Sequence, residues 1–163
     1  SLGDGAKIVA ASGTGKLTMA DGLEVRDKIT FEYIEFNVDN ILLHKDISMT
    51  NGTLKVGKSL NMQNGETQNG IINDITFGNT PDNKGTYLFD VGMDKLQISG
   101  TATGKVKLAP KYGAALTDNS QVDVFTVAGG GDLDNLTMSD SLTGAIIRPI
   151  SLLKTKRIMG SWM

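Results

Sequence analysis

Residues 47–62 read ISMTNGTLKVGKSLNM, and their pattern decides the fold. Ile47 with Met49, Leu54 with Val56, and Leu60 with Met62 each put two apolar side chains on one side of a short extended segment, because successive strand residues face opposite ways. Between the first two pairs lies Asn51-Gly52, a dipeptide that adopts positive φ readily and supports a tight turn. Asn64-Gly65 and Asn69-Gly70 repeat that punctuation shortly afterwards. Strands with only two inward residues favour a stack of short strands over the longer ladders of a sandwich.

The same grammar extends in both directions. Ile8/Ala10, Leu17/Met19 and Leu23/Val25 precede the stretch. Ile75/Phe77, Tyr87/Phe89/Val91, Leu96/Ile98, Val106/Leu108, Val122/Val124/Thr126, Leu136/Met138 and Ile150/Leu152 follow it. The longest run, residues 28–43, alternates through Ile29, Phe31 and Tyr33 and then slips to Ile34, Phe36 and Val38. A one-residue slip turns every side chain to the other face, so a bulge or bend is expected at Tyr33 and Ile34. That run also favours the alternative of a β-sandwich or jelly roll, whose strands can be longer.

Composition agrees with an all-β chain. Against 14 Asp, 11 Asn, 16 Thr and 20 Gly there are only 4 Glu, a balance that suits turns and strands better than helix. With 163 residues, a single domain over 1–163 is expected, large enough for a core without covalent staples. The absence of Cys excludes disulfides, thiolate zinc sites and thiol nucleophiles. A net charge of −2 and a pI near 5.3 argue against a nucleic-acid partner. No run of about 18 apolar residues exists to form a transmembrane helix. The chain opens on Ser1 without leader or tag, as a mature, processed chain would.

An imperfect echo runs through the chain. Leu17-Thr18-Met19, Ile47-Ser48-Met49, Leu60-Asn61-Met62 and Leu136-Thr137-Met138 share an apolar, small-polar, Met pattern, at intervals of 30, 13 and 76 residues. A strict solenoid would keep one period. Residues 87–144 carry further signature elements: SGTAT at 99–103, Val106 to Leu108, a Gly-containing loop at 112–119, VDVFTV at 122–127 and Gly129-Gly130-Gly131. With residues 52–62, this stretch resembles the C-terminal part of bacterial autotransporter passengers and related surface β-solenoid proteins. The resemblance implies a right-handed β-solenoid-like stack of short strands in a secreted or surface protein. No membrane-barrel pattern follows within the sequence.

AASGTGKLT at 10–18 looks like a phosphate-binding loop, but Ala10 and Leu17 replace its required Gly and Ser/Thr, and the residues after Lys16 alternate like a strand. GGGDLDNL at 129–136 resembles one turn of a calcium-binding nonapeptide repeat, which makes Asp132, Asp134 and Asn135 the metal candidates, with calcium as the ion and a solvated turn as the simpler reading. No other cofactor is indicated. His44, without a second His or any Cys, is expected on the surface or rim. Glu32 and Glu35 face opposite sides of an unbroken strand, and only a bulge would bring them together as a glycosidase pair. No G-x-S-x-G elbow exists for a Ser nucleophile. Asn51-Gly52-Thr53 and Asn135-Leu136-Thr137 match the N-glycosylation pattern, which a chain rich in Asn and Thr produces by chance.

These readings lead to an expected function without catalysis: an extracellular or cell-surface structural or adhesive protein, a subunit or module of a fibre or surface assembly. Its partners would be copies of itself, or a surface glycan or protein. The alternatives are a virion component, such as a tail-fibre, spike or decoration protein, and a strand-exchanging pilus-like filament subunit. For strand exchange the segments 5–12 and 151–163 are the docking candidates. In the second of these, Lys154, Lys156 and Arg157 would protect an exposed sheet edge and Trp162 would cap the core.

Overall fold

The computed structural model describes residues 5–11, 13–111, 120–127, 136–139, 146–150 and 155–160. The strands are β1 (Ala6–Val9), β2 (Gly15–Val25), β3 (Ile29–Glu32), β4 (Ile34–Leu43), β5 (Ile47–Asn61), β6 (Gln68–Phe77), β7 (Gly85–Asp90), β8 (Asp94–Ile98), β9 (Ala102–Lys111), β10 (Ser120–Val127), β11 (Leu136–Ser139), β12 (Ile146–Ile150) and β13 (Thr155–Gly160). They form a β-solenoid of about five turns. The sandwich alternative fails because β1 to β11 pair with one another only in parallel, and parallel neighbours require the chain to travel a full circuit between them.

Each circuit has three faces. β1, β3, the start of β5, the first half of β6, β8 and the end of β10 stack on the first. The second carries the first halves of β2 and β4, the middle of β5, the second half of β6, the start of β9, and β11. The third carries the ends of β2, β4 and β5, then β7 and the end of β9. Towards the C-terminus the pairing turns antiparallel, with β13 between β10 and β12.

Stacking in register makes columns of like residues. Ile8, Phe31, Met49, Ile72, Ile98 and Val127 rise through the first face. Leu17, Phe36, Leu54, Ile75 and Ala102 do so on the second, and Leu23, Ile41, Leu60, Tyr87 and Leu108 on the third. From Phe31 upwards the first-face column is buried, and the other two columns are buried above their lowest members. Phe31 and Phe36 stack across a corner with ring centroids 5.1 Å apart.

That corner is the bend expected from the slip at Tyr33. Tyr33 takes φ 57 and points outwards, half exposed, while Ile34 on the next strand is buried. One coil up, Asn51 repeats the device at φ 51. Gly52 follows because a Cβ there would overlap the Ile34 backbone. Asn51-Gly52 is therefore a corner within the continuing β5 and not a hairpin turn.

Two further expectations need correction. Asn69-Gly70 is not a turn but part of β6, where Gly70 fills the inward position between Ile47 and Leu96. A Cβ there would lie 3.0 Å from Leu96 Cδ1 and 3.3 Å from Ile47 Cγ2. In β10 the inward phase belongs to Val127, which is buried, and not to Thr126, which pairs with the outward Gln97; the register shifts between Asp123 and Phe125.

The missing period also has a structural cause. Stacked neighbours are separated by 18 residues from Phe31 to Met49, 23 from Met49 to Ile72 and 26 from Ile72 to Ile98, because corners grow while strands do not. The Met-ending echoes are not equivalent positions: Leu17–Met19, Ile47–Met49 and Leu60–Met62 lie on three different faces. Each is the in-out-in signature of a strand.

Candidate functional site

The second face projects two polar columns into solvent. Lys16, Glu35, Thr53 and Asp74 form one; Thr18, Asn37, Lys55, Thr76 and Thr103 form the other. The rung spacing of a parallel ladder, about 4.8 Å, places these groups in a rigid array. Thr76 and Thr103 join their hydroxyls at 2.9 Å.

Glu35 is the electrostatic centre of the array. Lys55 Nζ lies 2.7 Å from one carboxylate oxygen and Lys16 Nζ 3.4 Å from the other, to which Asn37 Nδ2 also donates. The hydrogen bonds from Lys55 and Asn37, reinforced by both lysine charges, hold the Glu35 carboxyl down at about 2. Glu32 pairs instead with Lys7 at 3.2 Å on the neighbouring face. The two glutamates are each engaged by different lysines, an arrangement suited to fixing charge and not to exchanging a proton between them.

Beside the columns opens a cleft of about 290 Å³, lined by Thr18, Asn37, Asp39, Lys55, Thr76 and Asn79 among others. Gly57 lies at its floor, where a Cβ would strike the Asp39 carboxylate. Asp39 pairs with Lys58 at 3.6 Å, and Asn79 accepts from Asn83 within its own loop. The cleft thus presents amides, hydroxyls, one ammonium and one carboxylate beside the apolar Met19, Ala20 and Val38. Such a set offers both hydrogen-bond donors and acceptors to solvent.

A second polar group lies inside the solenoid at the corner that joins its third face to its first. Gln68, Asp90 and Asp94 are the buried polar side chains among the described residues. Gln68 Nε2 donates to the carbonyls of Leu43 and Met62, and Asp90 Oδ2 accepts the N–H groups of Asn64 and Gly65. Asp94 Oδ2 accepts the Asp90 N–H at 2.7 Å. Burial pushes the Asp94 carboxyl up to about 6, and raises the Tyr87 phenol well above its ordinary value.

The residues singled out in the sequence are scattered. His44 sits on the rim, one-third exposed, with Nε2 2.8 Å from Glu24 Oε1, which Arg26 also meets at 3.0 Å. Residues 15–18 of the phosphate-loop-like segment lie in strand β2, and Lys16 is committed to Glu35. Asp132, Asp134 and Asn135 lie outside the described residues, as does Trp162. Among the described residues no group of three or more His, Cys, Asp or Glu gathers around a common point, and no helix is long and apolar enough to cross a membrane. Of the proposed docking strands, β1 pairs on one side only among the described residues, with β3. β13 is paired on both sides, so residues 156 and 157 are not on an edge strand; among the described residues β12, with Pro149, lies outermost.

Sequence reading missed both the cleft and the inner polar corner. FDVGMD at 89–94 reads as a turn between strands, and nothing in it signals that both aspartates fold inwards. Comparison with protein-family models, curated proteins and solved structures gave no match to this chain.

Proposed function

We propose that this protein is a non-enzymatic structural or adhesive module of an extracellular or cell-surface assembly, and that its second face carries the contact surface. The observation that supports this is the pair of straight polar columns flanking the cleft at Asn37, Asp39, Lys55 and Asn79. Repeated hydroxyl and amide groups at strand spacing suit an extended polymer with a comparable repeat, above all a polysaccharide. Affinity there comes from many small contacts on a surface that loses little freedom on binding.

The ion pairs point the same way. Glu35 is neutralised by two lysines, which favours recognition by hydrogen bonds over capture of a highly charged ligand.

The test is a screen of immobilised polysaccharides and surface glycans, with solution mass measured by light scattering in parallel. A ligand whose binding is lost in the combined Thr18→Ala, Asn37→Ala, Thr76→Ala variant, with thermal unfolding unchanged, supports the reading. A ligand that binds this variant as well as the parent, or a chain that neither binds a glycan nor assembles, refutes it. Polysaccharide cleavage by the purified chain would refute the non-enzymatic part.

A further inference from the structure

Gln68 of β6 and Asp94 of β8 are register partners, one directly above the other on neighbouring coils. Both are 1% exposed. The Gln68 amide is fixed in orientation, because Nε2 donates to Leu43 O at 3.1 Å and Met62 O at 3.2 Å, and a flipped amide would set its oxygen against two carbonyls. Its Oε1 accepts nothing, and neither does Asp94 Oδ1. Two side-chain acceptor atoms, on register partners of neighbouring coils, thus lie buried without a hydrogen-bond partner among the described residues. Unmet buried acceptors are costly, and a single proton relieves both, since a neutral carboxyl is a donor and a carboxylate is not.

We infer that Asp94 and Gln68 form a buried proton-binding site in which Asp94 takes up a proton on Oδ1 and donates it to Gln68 Oε1, latching the coil of β6 to the coil of β8. No bond other than the transferred O–H is made or broken, and the proton comes from solvent.

The surroundings favour the neutral carboxyl. Asp90, at the end of β7, places a second carboxylate close by, and its own Oδ2 is held by the Asn64 and Gly65 N–H groups. Tyr87 of β7, fully buried, adds a ring and no positive charge. On β6 the facing residue is the neutral Gln68, and the described side chains of β10, Thr126 and Val127, are uncharged. Lys111 of β9 is the register partner of Asp90, and its side chain is exposed. Lys45 and Glu66 pair with each other at the surface. None of these cations is paired with Asp94. The Asp90 N–H, donating to Oδ2, and more weakly the Gln68 N–H oppose protonation, and burial outweighs them.

The direction of the pH effect follows. The folded-state value, about 6, lies above the ordinary 3.8. The site therefore contributes fully below about pH 4, and its contribution is lost as pH rises through about 6.

The test is carboxyl NMR on the intact chain labelled at aspartate Cγ, titrated from pH 3 to 9, for the parent, Asp94→Asn and Gln68→Met. One aspartate should titrate near 6, disappear in Asp94→Asn, and move down by about one unit in Gln68→Met, which lacks the acceptor. The Gln68 side-chain amide of the parent should shift with the same midpoint. Asp94→Asn, whose amide donates at every pH, should unfold at a temperature that varies less between pH 4 and 8 than the parent's. An Asp94 signal titrating near 4 overturns the site. A midpoint unmoved in Gln68→Met, or, should that variant not fold, a Gln68 amide indifferent to pH in the parent, overturns the shared proton.

Discussion

Leu54→Ala probes how load is carried along the solenoid. Leu54 is fully buried in the second-face column, between Phe36 below and Ile75 above. Truncation removes three carbons and leaves a void that the column cannot close, because the backbones above and below are pinned by parallel ladders. Leu→Ala losses in cores run from about 2 to 5 kcal/mol according to how far the site relaxes, and this rigidity places Leu54 near about 4 kcal/mol. That is a large part of a small domain's net stability. In a stack where each coil touches only its neighbours, the damage should also be local. The assay is urea unfolding combined with amide hydrogen exchange. Protection should fall in β4, β5 and β6 and persist in β7 and β9 on the third face, while Ile71→Ala, at a half-exposed position, should change stability by less than about 0.5 kcal/mol. A Leu54→Ala loss below about 1 kcal/mol, or an even loss of protection through every coil, would refute the reasoning.

Other consequences are as direct. The Glu35 carboxyl is held at about 2 against an ordinary 4.5, so its contribution is present above about pH 4.5 and is lost as pH falls towards 2. Lys55→Met should raise its midpoint in a glutamate carboxyl titration, yet cost under about 1 kcal/mol at pH 7, because the pair is solvated; an unmoved midpoint would remove Lys55 as the cause. Gly104→Ala should destabilise by more than about 1 kcal/mol in a thermal melt, since Gly104 has φ +92 and a Cβ would overlap the Phe77 carbonyl. Asn51→Gly, at φ 51, should stay within about 0.5 kcal/mol of the parent, and Asn51→Val should lose more than Asn51→Gly by the same melt.

The strands were legible because they depend on local alternation. Ile29, Phe31, Ile34, Phe36 and Val38 announce both their buried sides and the corner at Tyr33, and all five are buried. The dipeptides were less informative, since Asn-Gly marks a capacity for positive φ without fixing where the chain goes next. At Asn51 that capacity turns a corner; at Asn69-Gly70 it goes unused, because Gly70 is needed small beneath Leu96. The inner corner was illegible for a different reason. Gln68, Asp90 and Asp94 are ordinary turn and surface residues until the stacking of β6 and β8 turns two of them inwards, and stacking partners 26 residues apart leave no trace in either segment.

The irregular spacing that hides the repeat also shapes the cleft. On the second and third faces the corner is short in the lower coils: Val38 leads to Asn40 through Asp39 alone, and Val56 to Ser59 through Gly57 and Lys58. In the next coil the same corner swells to the residues between Phe77 and Thr86, although Phe77 still stacks on Val56 and Thr86 on Ser59. The extra residues leave the column from Gly78, whose φ of +87 and N–H bond to Val56 O start the excursion, and they turn back where Asn83 N–H meets Thr80 O. Asn79 is thereby raised as a wall over Gly57 and Asp39. An insertion that leaves the ladder undisturbed adds relief to a face that would otherwise be flat, which is how a stack of near-identical coils acquires one place unlike the rest.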